Sequence, residues 1–361
     1  MKTLITLVLT GWLTCLQSMA AAPPSSTNAL FKAIRAGDRA AVQSLIKTGA
    51  VVNARDDEGN TPLIAAALNA DVAVLKLLLE AGAEVNATNQ FGASALLRAA
   101  TFEDKSRLLI TSGAEVTARS QFGTGALILA ARMPGNSGTV ELLLARGAEV
   151  NATNGFGGTA LMAAVAAEDT QSVRLLLDQG ADVNARPNLD ENGFLFGGGR
   201  TPLMWAAFRG NEELTRLLLA RGADVNGFGP LGSALTQAAW AGNANIARIL
   251  LDAGARVDQR DGKADYTPLH WAAGSEKSDA SLVSLLLARG ADANAEGGRT
   301  IDNFQGVAQT PLMLARKRGE TPIVAALRHT GALEVEPSQG KPAAAPARTE
   351  VSSAETDTII D

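Results

Sequence analysis

Apolar residues recur along the chain at helical spacing, in runs that end at a glycine. Leu75, Leu78 and Leu79, for example, precede Gly82. A spacing of three and four residues places apolar side chains on one face of a helix. Glycine ends such helices readily because it adopts the left-handed backbone conformation at little cost. The pattern therefore predicts many short amphipathic helices, each stopped by a glycine.

The helix stops follow a nearly regular period. Nine apolar runs end in Gly-Ala, and the intervals between successive glycines are 33, 31, 34, 33, 42, 32, 36 and 41 residues. The glycines are Gly49, Gly82, Gly113, Gly147, Gly180, Gly222, Gly254, Gly290 and Gly331. About a dozen residues after several of them comes Thr-Pro-Leu, which combines a good N-cap with a proline that the first helical position tolerates. Each period thus predicts a capped helix, a turn, a second helix and a glycine stop.

Between the periods lie Val-Asn-Ala, as at Asn53 and Asn86, and a turn that contains glycine. With its Thr-Pro-Leu-His opening at Thr267 and its Leu-Leu-Leu-x-x-Gly-Ala-x-x-Asn close, the pattern resembles the ankyrin repeat over residues 29–333. The resemblance implies an all-α solenoid of about nine helix–turn–helix units with β-hairpin fingers, whose fingers and first helices line a concave face. A single helix pair cannot bury its apolar face alone, so each pair must be covered by its neighbours.

The ends of the chain differ from the repeats. An apolar run over 4–16, followed by the small residues Ser18 and Ala20 at the two positions that a signal peptidase recognises, predicts an export signal of the bacterial type that is cleaved after Ala20. A membrane anchor is the alternative, but the run is shorter than the roughly 20 residues that a spanning helix needs. We expect a periplasmic or secreted protein without a membrane span after cleavage. The predicted segments are a signal peptide over 1–20, a linker over 21–28, a repeat domain over 29–333 with caps at 29–53 and 310–333, and a disordered acidic tail over 334–361.

Composition and charge narrow the possible partners. Aromatic residues make up 4 % of the chain, so its core must consist of Ala, Leu and Val. The tail after residue 333 carries four of the five net negative charges, which leaves the repeats almost neutral and without the basic stripe that nucleic acids require. The only cysteine, Cys15, lies in the predicted signal, so the mature chain has no disulfide and no cysteine metal site.

Candidate chemistry is sparse. Neither His270 nor His329 has a second histidine or a cysteine at metal-binding spacing, and the glycines at 197–199 lack the Lys-Ser or Lys-Thr of a phosphate loop. The resemblance assigns His270 to local hydrogen bonds that brace its hairpin. We therefore predict no catalytic, metal-binding or cofactor-binding residues and no enzymatic activity. The alternative is an enzyme or small-molecule binder that uses the 187–199 insertion as a lid.

A binding site for another protein or peptide has more support. Aromatic residues and Met recur on the predicted fingers, at the ends of first helices and in the 187–199 insertion, and exposed apolar rows commonly mark partner sites. The candidates are Phe91, Phe102, Phe122, Met133, Phe156, Phe194, Phe196, Phe208, Phe228 and Trp240. Alternatively, the finger phenylalanines only stack on each other, and we assign Trp205 and Trp271 to packing. The arginines that could pair with a partner's acids are Arg98, Arg132, Arg200 and Arg209.

We therefore expect a non-enzymatic protein-binding scaffold without a cofactor, acting as a monomer, with self-assembly as the alternative. Two repeats depart from the pattern, because Thr117 replaces the usual Asn and Gly125 replaces the capping Thr. Loss of a cap weakens a helix, so we predict that residues 100–140 open before residues 160–220. A second insertion over 296–308 fits a binding role and tolerated loop drift equally well.

Overall fold

A computed structural model describes residues 25–188, 199–262, 264–298 and 308–333 of the chain. These residues form eighteen α-helices in nine consecutive pairs and no β-strand. None of these helices is long and apolar enough to cross a membrane. The predicted signal over 1–20, the tail over 334–361 and the candidates Phe194 and Phe196 lie outside the described residues.

Each pair consists of a first helix, which follows the interrepeat turn, and a second helix, which ends at the glycine stop. The first helices are α1 (Ser25–Arg35), α3 (Pro62–Asn69), α5 (Ala95–Ala99), α7 (Ala126–Ala131), α9 (Ala160–Ala166), α11 (Pro202–Arg209), α13 (Ala234–Ala241), α15 (Pro268–Gly274) and α17 (Pro311–Arg316). The second helices are α2 (Arg39–Lys47), α4 (Val72–Glu80), α6 (Glu103–Thr111), α8 (Ser137–Ala145), α10 (Thr170–Asp178), α12 (Glu212–Ala220), α14 (Ala244–Asp252), α16 (Ala280–Ala288) and α18 (Pro322–His329).

Side-chain caps start most of these helices. Thr61 is extended and accepts a hydrogen bond from the Ile64 amide, while Pro62 occupies the first helical position. Asp71 caps the following helix in the same way by accepting from the Val74 amide. These caps satisfy amide groups that a helix start leaves without intrahelical partners. The Thr-Pro signal therefore marks the helix starts that the sequence predicts.

Alanine allows the first helices to pack closely. The fifth residue after the cap is an alanine with 0 % or 1 % exposure in every pair from α3 onward. These residues are Ala66, Ala99, Ala130, Ala164, Ala206, Ala238, Ala272 and Ala315. Because alanine has the smallest apolar side chain, the backbones of neighbouring helices approach each other, and each first helix contacts the next within α1–α11 and within α13–α17. The second helices add leucine and valine from one face, such as Val74, Leu75 and Leu78.

The chain divides into two compact units at Gly227 and Phe228. The first unit contains α1–α12 and the second contains α13–α18, where the sequence predicted one domain over 29–333. The division falls in a glycine-rich turn that is closed by a single bridge between Gly229 and Gly232. Helix α1 begins at Ser25, inside the segment predicted as a linker.

The predicted β-hairpin fingers are not confirmed. In the described ranges the segments between helix pairs hold only four isolated bridges, Thr88–Ser94, Arg119–Gly125, Gly229–Gly232 and Gly297–Gln309. In the Thr88–Ser94 segment a side chain replaces further hydrogen bonds between the two backbone arms, since Asn89 Oδ1 accepts hydrogen bonds from the amides of Phe91 and Ala93. The turn amides are thereby satisfied without extended strands.

Candidate functional site

Polar side chains fold the turns that carry the candidate phenylalanines. Asn89 closes the turn of Phe91, and Asn154 closes the turn of Phe156 by accepting from the amides of Phe156 at 3.0 Å and Gly158 at 2.9 Å. The turn of Phe122 has one such bond, from the Thr124 amide to Ser120 Oγ at 3.2 Å. The phenylalanines therefore stand at equivalent positions of equivalent turns.

Backbone hydrogen bonds join these turns into a row. The carbonyl of Phe91 accepts from the Gln121 amide at 2.9 Å, and the carbonyl of Phe122 accepts from the Gly155 amide at 2.8 Å. Glycine is required beside the contact, because Gly92 has a φ of +70° and a Cβ there would lie 3.0 Å from the Gln121 nitrogen. The row fixes the spacing of successive phenylalanines.

Two of the turn phenylalanines project into solvent. Phe91 is 40 % exposed and Phe122 is 58 % exposed, whereas Phe156 is half-buried. Within the described residues neither Phe91 nor Phe122 makes a contact with another aromatic ring. Ring stacking therefore does not account for these two side chains, and their apolar surface is available for contact.

The candidates at the ends of first helices differ in exposure. Phe102 is 42 %, Met133 is 44 % and Trp240 is 41 % exposed. Phe208 is half-buried and meets Trp205 edge-on, with 6.2 Å between ring centroids. In the second unit Phe228 is 39 % exposed. Phe102 and Met133 are thus exposed just after α5 and α7, the helices that follow the turns of Phe91 and Phe122.

The packing role predicted for the two remaining tryptophans agrees with their contacts. Trp205 and Trp271 are both half-buried. The ring of Trp271 lies 6.0 Å from that of Trp240, and its Nε1 donates to Asp261 Oδ2 at 2.7 Å.

A groove runs between the turns and the first helices of the first unit. One part of it is a cavity of about 470 Å³. The cavity is lined by Arg35, Asp56, Asp57, Glu58, Asn60, Ile64, Ala65, Leu68, Asn69 and Arg98. These residues come from one turn, from α3 and from the two first helices on either side of it, so turns and outward positions of first helices share one surface. Leu68, on its floor, is 50 % exposed.

The four candidate arginines do not share one environment. Among the described residues Arg98, Arg132 and Arg209 make no ion pair and no side-chain hydrogen bond. Arg200 contradicts its prediction as a partner contact, because it is only 7 % exposed. Its guanidinium lies 4.6 Å from the ring centroid of Phe208 and 5.0 Å from that of Trp205, and burial lowers its pKa. Both rings are close enough to the guanidinium for cation–π attraction.

His270 makes the local hydrogen bonds that the resemblance implies. Its Nδ1 accepts from the Thr267 amide at 3.1 Å, and its Nε2 lies 3.0 Å from the Gln309 carbonyl. This arrangement requires a neutral ring with the proton on Nε2. Burial lowers the pKa of His270, and Tyr266 stacks on the ring at 4.9 Å. The imidazole therefore joins the α15 pair to the turn of the following pair.

Sequence reasoning missed a buried lysine in the same region as the groove. Lys105 is 9 % exposed and occupies the position that Val74 holds in the preceding pair. Its Nζ donates to the Ala67 carbonyl at 3.0 Å and lies 4.2 Å from the ring centroid of Phe102. Burial lowers the pKa of Lys105, while the nearby Asp71 raises it. The signal in the sequence was a lysine at a position that is apolar in the preceding repeat.

No cluster in the described ranges suggests a metal centre, since no three His, Cys, Asp or Glu side chains are placed to share an ion. The proposed lid over 187–199 lies for the most part outside the described residues.

Repeated helix pairs, most with a side-chain cap at their start and each with a glycine stop, define a helical repeat protein. A family model described as ankyrin repeats in three copies matches the chain in overlapping segments. The matched residues are 7–89, 81–154, 96–187, 127–228, 185–261 and 235–339. The chain belongs to the ankyrin-repeat family, whose members generally mediate protein–protein interaction. No curated protein matches it in sequence.

Proposed function

We propose that this protein is a non-enzymatic scaffold that binds a partner protein or peptide in the groove between its turns and first helices. One observation carries the proposal. Phe91 and Phe122 stand side by side on linked turns with 40 % and 58 % of their surface exposed, although the other large apolar side chains of their repeats are mostly buried. Aromatic residues and Met are enriched at the centres of protein interfaces. Phe102 and Met133 enlarge the same apolar surface.

Photo-crosslinking tests the groove assignment. A photoreactive phenylalanine analogue placed at position 91 or 122 should give adducts with a partner in extracts of the producing cells. The same analogue at Arg146, which is exposed and follows α8, should give none. Equal adducts from all three positions, or none from positions 91 and 122, would contradict the assignment.

A double truncation measures the energetic contribution of the two rings. Phe91→Ala with Phe122→Ala should weaken the captured complex by about 5- to 30-fold or more, since truncating an interface hot spot costs about 1–2 kcal/mol or more. The control is Val51→Ala with Leu333→Ala, because these side chains are 53 % and 60 % exposed and each stands two residues after a glycine stop, a position that differs from that of the turn phenylalanines. Helicity must be unchanged in both variants for the comparison to hold.

We further propose that the scaffold acts outside the cytoplasm, as a monomer. The support is the sequence of residues 1–20, with its short apolar run and small residues before the predicted cleavage point. Mass spectrometry of the protein isolated from cells should find a chain that begins at Ala21, in the periplasmic or secreted fraction. A full-length chain in the cytosolic fraction would refute export, and light scattering at twice the mass of one chain would refute the monomer.

A further inference from the structure

The charged side chains on α5 and at the end of α7 are cations. Arg98 lies on α5 and Arg132 directly follows α7, and neither has an ion pair or a side-chain hydrogen bond among the described residues. The turns in front of these helices contribute the neutral residues Gln90 and Gln121 beside their phenylalanines. A repeat domain that is nearly neutral overall thus presents two unpaired guanidinium groups on one surface.

Apolar side chains flank both arginines. Phe91 and Phe102 bracket α5, while Phe122 and Met133 bracket α7, and all four are at least 40 % exposed. A ligand group that reaches either arginine therefore leaves bulk water and contacts apolar surface nearby. Electrostatic attraction is stronger in such a partly desolvated place than on an open surface.

The sign of the charge changes at the other end of the cavity. Asp57 and Glu58 line the cavity that also contains Arg98, on the turn that precedes α3. Acidic groups of a ligand are therefore favoured from Arg98 toward Arg132 and disfavoured at the turn of Asp57. The unequal distribution of charge therefore favours one orientation of a bound ligand as well as acidic groups in it.

We infer that the α5 and α7 part of the groove binds an extended segment of a partner protein in which carboxylate side chains are interspersed with apolar ones. The inference rests on the proposed binding function. A guanidinium matches a carboxylate with two parallel hydrogen bonds, which gives both charge and geometric selectivity. Neighbouring helices pack about 8–10 Å apart and an extended chain advances about 3.3 Å per residue, so acids about three residues apart can reach both arginines.

Three peptide pools test this preference. Each pool contains fluorescent peptides of about twelve residues, a length that spans roughly 40 Å when extended. In every pool the apolar positions carry a random mixture of Phe, Leu and Trp. All remaining positions are Glu in the first pool, Lys in the second and Gln in the third. We expect the full-length protein to bind the Glu pool most tightly in fluorescence anisotropy, with affinity falling as salt rises from about 50 mM to about 500 mM.

Substitution of the arginines shows where the selectivity arises. Arg98→Gln with Arg132→Gln should weaken binding of the Glu pool by about 3- to 30-fold and leave the Gln pool unchanged, as expected for the loss of two partly exposed charge pairs. The matched control is Arg146→Gln with Arg216→Gln, two exposed arginines associated with second helices that also have no ion pair among the described residues. The control should bind the Glu pool as the unchanged protein does.

The outcomes separate this inference from the proposed function. If the Lys or Gln pool binds as well as the Glu pool, or if the two arginine double variants behave alike, the acidic preference is wrong. Should Phe91→Ala with Phe122→Ala still reduce binding of every pool in that case, the groove remains the binding surface. If neither the phenylalanine nor the arginine variants alter binding of any pool, both the inference and the groove assignment are wrong.

Discussion

The side chain of Asn86 joins one repeat to the next by two hydrogen bonds. Its Nδ2 donates to the Gly113 carbonyl at 3.1 Å, and its Oδ1 accepts from the Glu115 amide at 2.9 Å. The same two bonds are made at the equivalent positions by Asn53, Asn151, Asn184 and Asn294. Thr117 stands at this position in the following repeat and makes neither bond within the described residues.

These bonds give a magnitude for two opposite substitutions. A typical hydrogen bond contributes about 0.5–1.5 kcal/mol net, and both bonds of Asn86 are exposed, so Asn86→Ala should cost about 1–2 kcal/mol. Thr117→Asn should add up to about 1 kcal/mol by the same reasoning. A small cavity of about 20 Å³, lined in part by Thr117, Gly125 and Glu149, lies beside this position, and the asparagine side chain is longer than that of threonine but similar in volume. For a unit of about 200 residues, each kcal/mol corresponds to about 2–4 °C in Tm.

Two measurements are needed, because repeat proteins can unfold in parts. Urea unfolding followed by circular dichroism reports the total change in stability. Hydrogen exchange reports the local change at two amides. Asn86 protects the Glu115 amide, and the new asparagine side chain of the Thr117→Asn variant should protect the Glu149 amide in the same way. Asn245→Ala is the control, because Asn245 is exposed on α14 and makes no side-chain hydrogen bond among the described residues.

The reasoning fails if Asn86→Ala destabilises no more than the Asn245 control, or if its effect does not reach the Glu115 amide. We call the two hydrogen bonds of each such asparagine the asparagine clamp. A Thr117→Asn protein that is less stable than the parent would show that the backbone around position 117 no longer has the geometry that these two bonds need.

Other predictions concern helix starts and a buried histidine. Gly125→Thr should raise stability by a few tenths of a kcal/mol and slow exchange within α7, because a Cβ there meets only the Ala118 carbonyl, at 3.8 Å, and Thr restores the cap; a faster-exchanging α7 would contradict this. Residues 100–140 should exchange faster than residues 160–220, and equal protection would refute the idea of a weak region. Burial lowers the pKa of His270 from its ordinary value of 6.5, so the stability it contributes is present above pH 6.5 and lost as the pH falls toward the lower folded value. Urea unfolding between pH 8 and pH 5, an interval of about three units around the reference pKa, measures this, and the slope should disappear in His270→Gln.

The helices were predictable because local chemistry determines them. Thr61 and Pro62 begin α3 as their residue types predict, and Gly82 stops α4 with a φ of +86°. Such signals act within a few residues, so a single sequence contains all the information that they need. The period of 33 residues then places neighbouring helices side by side.

Contacts between distant residues were not predictable in the same way. Arg200 resembled a surface cation, but its guanidinium is buried and lies within 5.0 Å of the ring centroids of Trp205 and Phe208. Lys105 interrupts an apolar position, and only the packed structure shows the Ala67 carbonyl that accepts its hydrogen bond. In both cases the partner is determined by packing, which periodicity does not specify.

The repeats that depart from the pattern are also those that carry the proposed binding surface. The α5–α8 region lacks a side-chain cap at Gly125 and an asparagine clamp at Thr117, and it buries Lys105 among apolar positions. The exposed Phe122 and the unpaired Arg132 belong to the same region. Local weakness of this kind is common at binding surfaces.

Ligand linkage connects these two features. A ligand that binds only the folded groove stabilises it by about 2.7 kcal/mol when its concentration is 100 times its Kd. Because Phe122 and Arg132 belong to the segment that we predict to open first, this stabilisation should appear as slower hydrogen exchange over residues 100–140, with little change over residues 160–220. Peptides of the Glu pool at saturating concentration provide the measurement. Equal protection of both segments would mean either that the first unit opens as a whole or that the ligand binds elsewhere. In either case the repeats with weak sequence signals would not be linked to the binding surface.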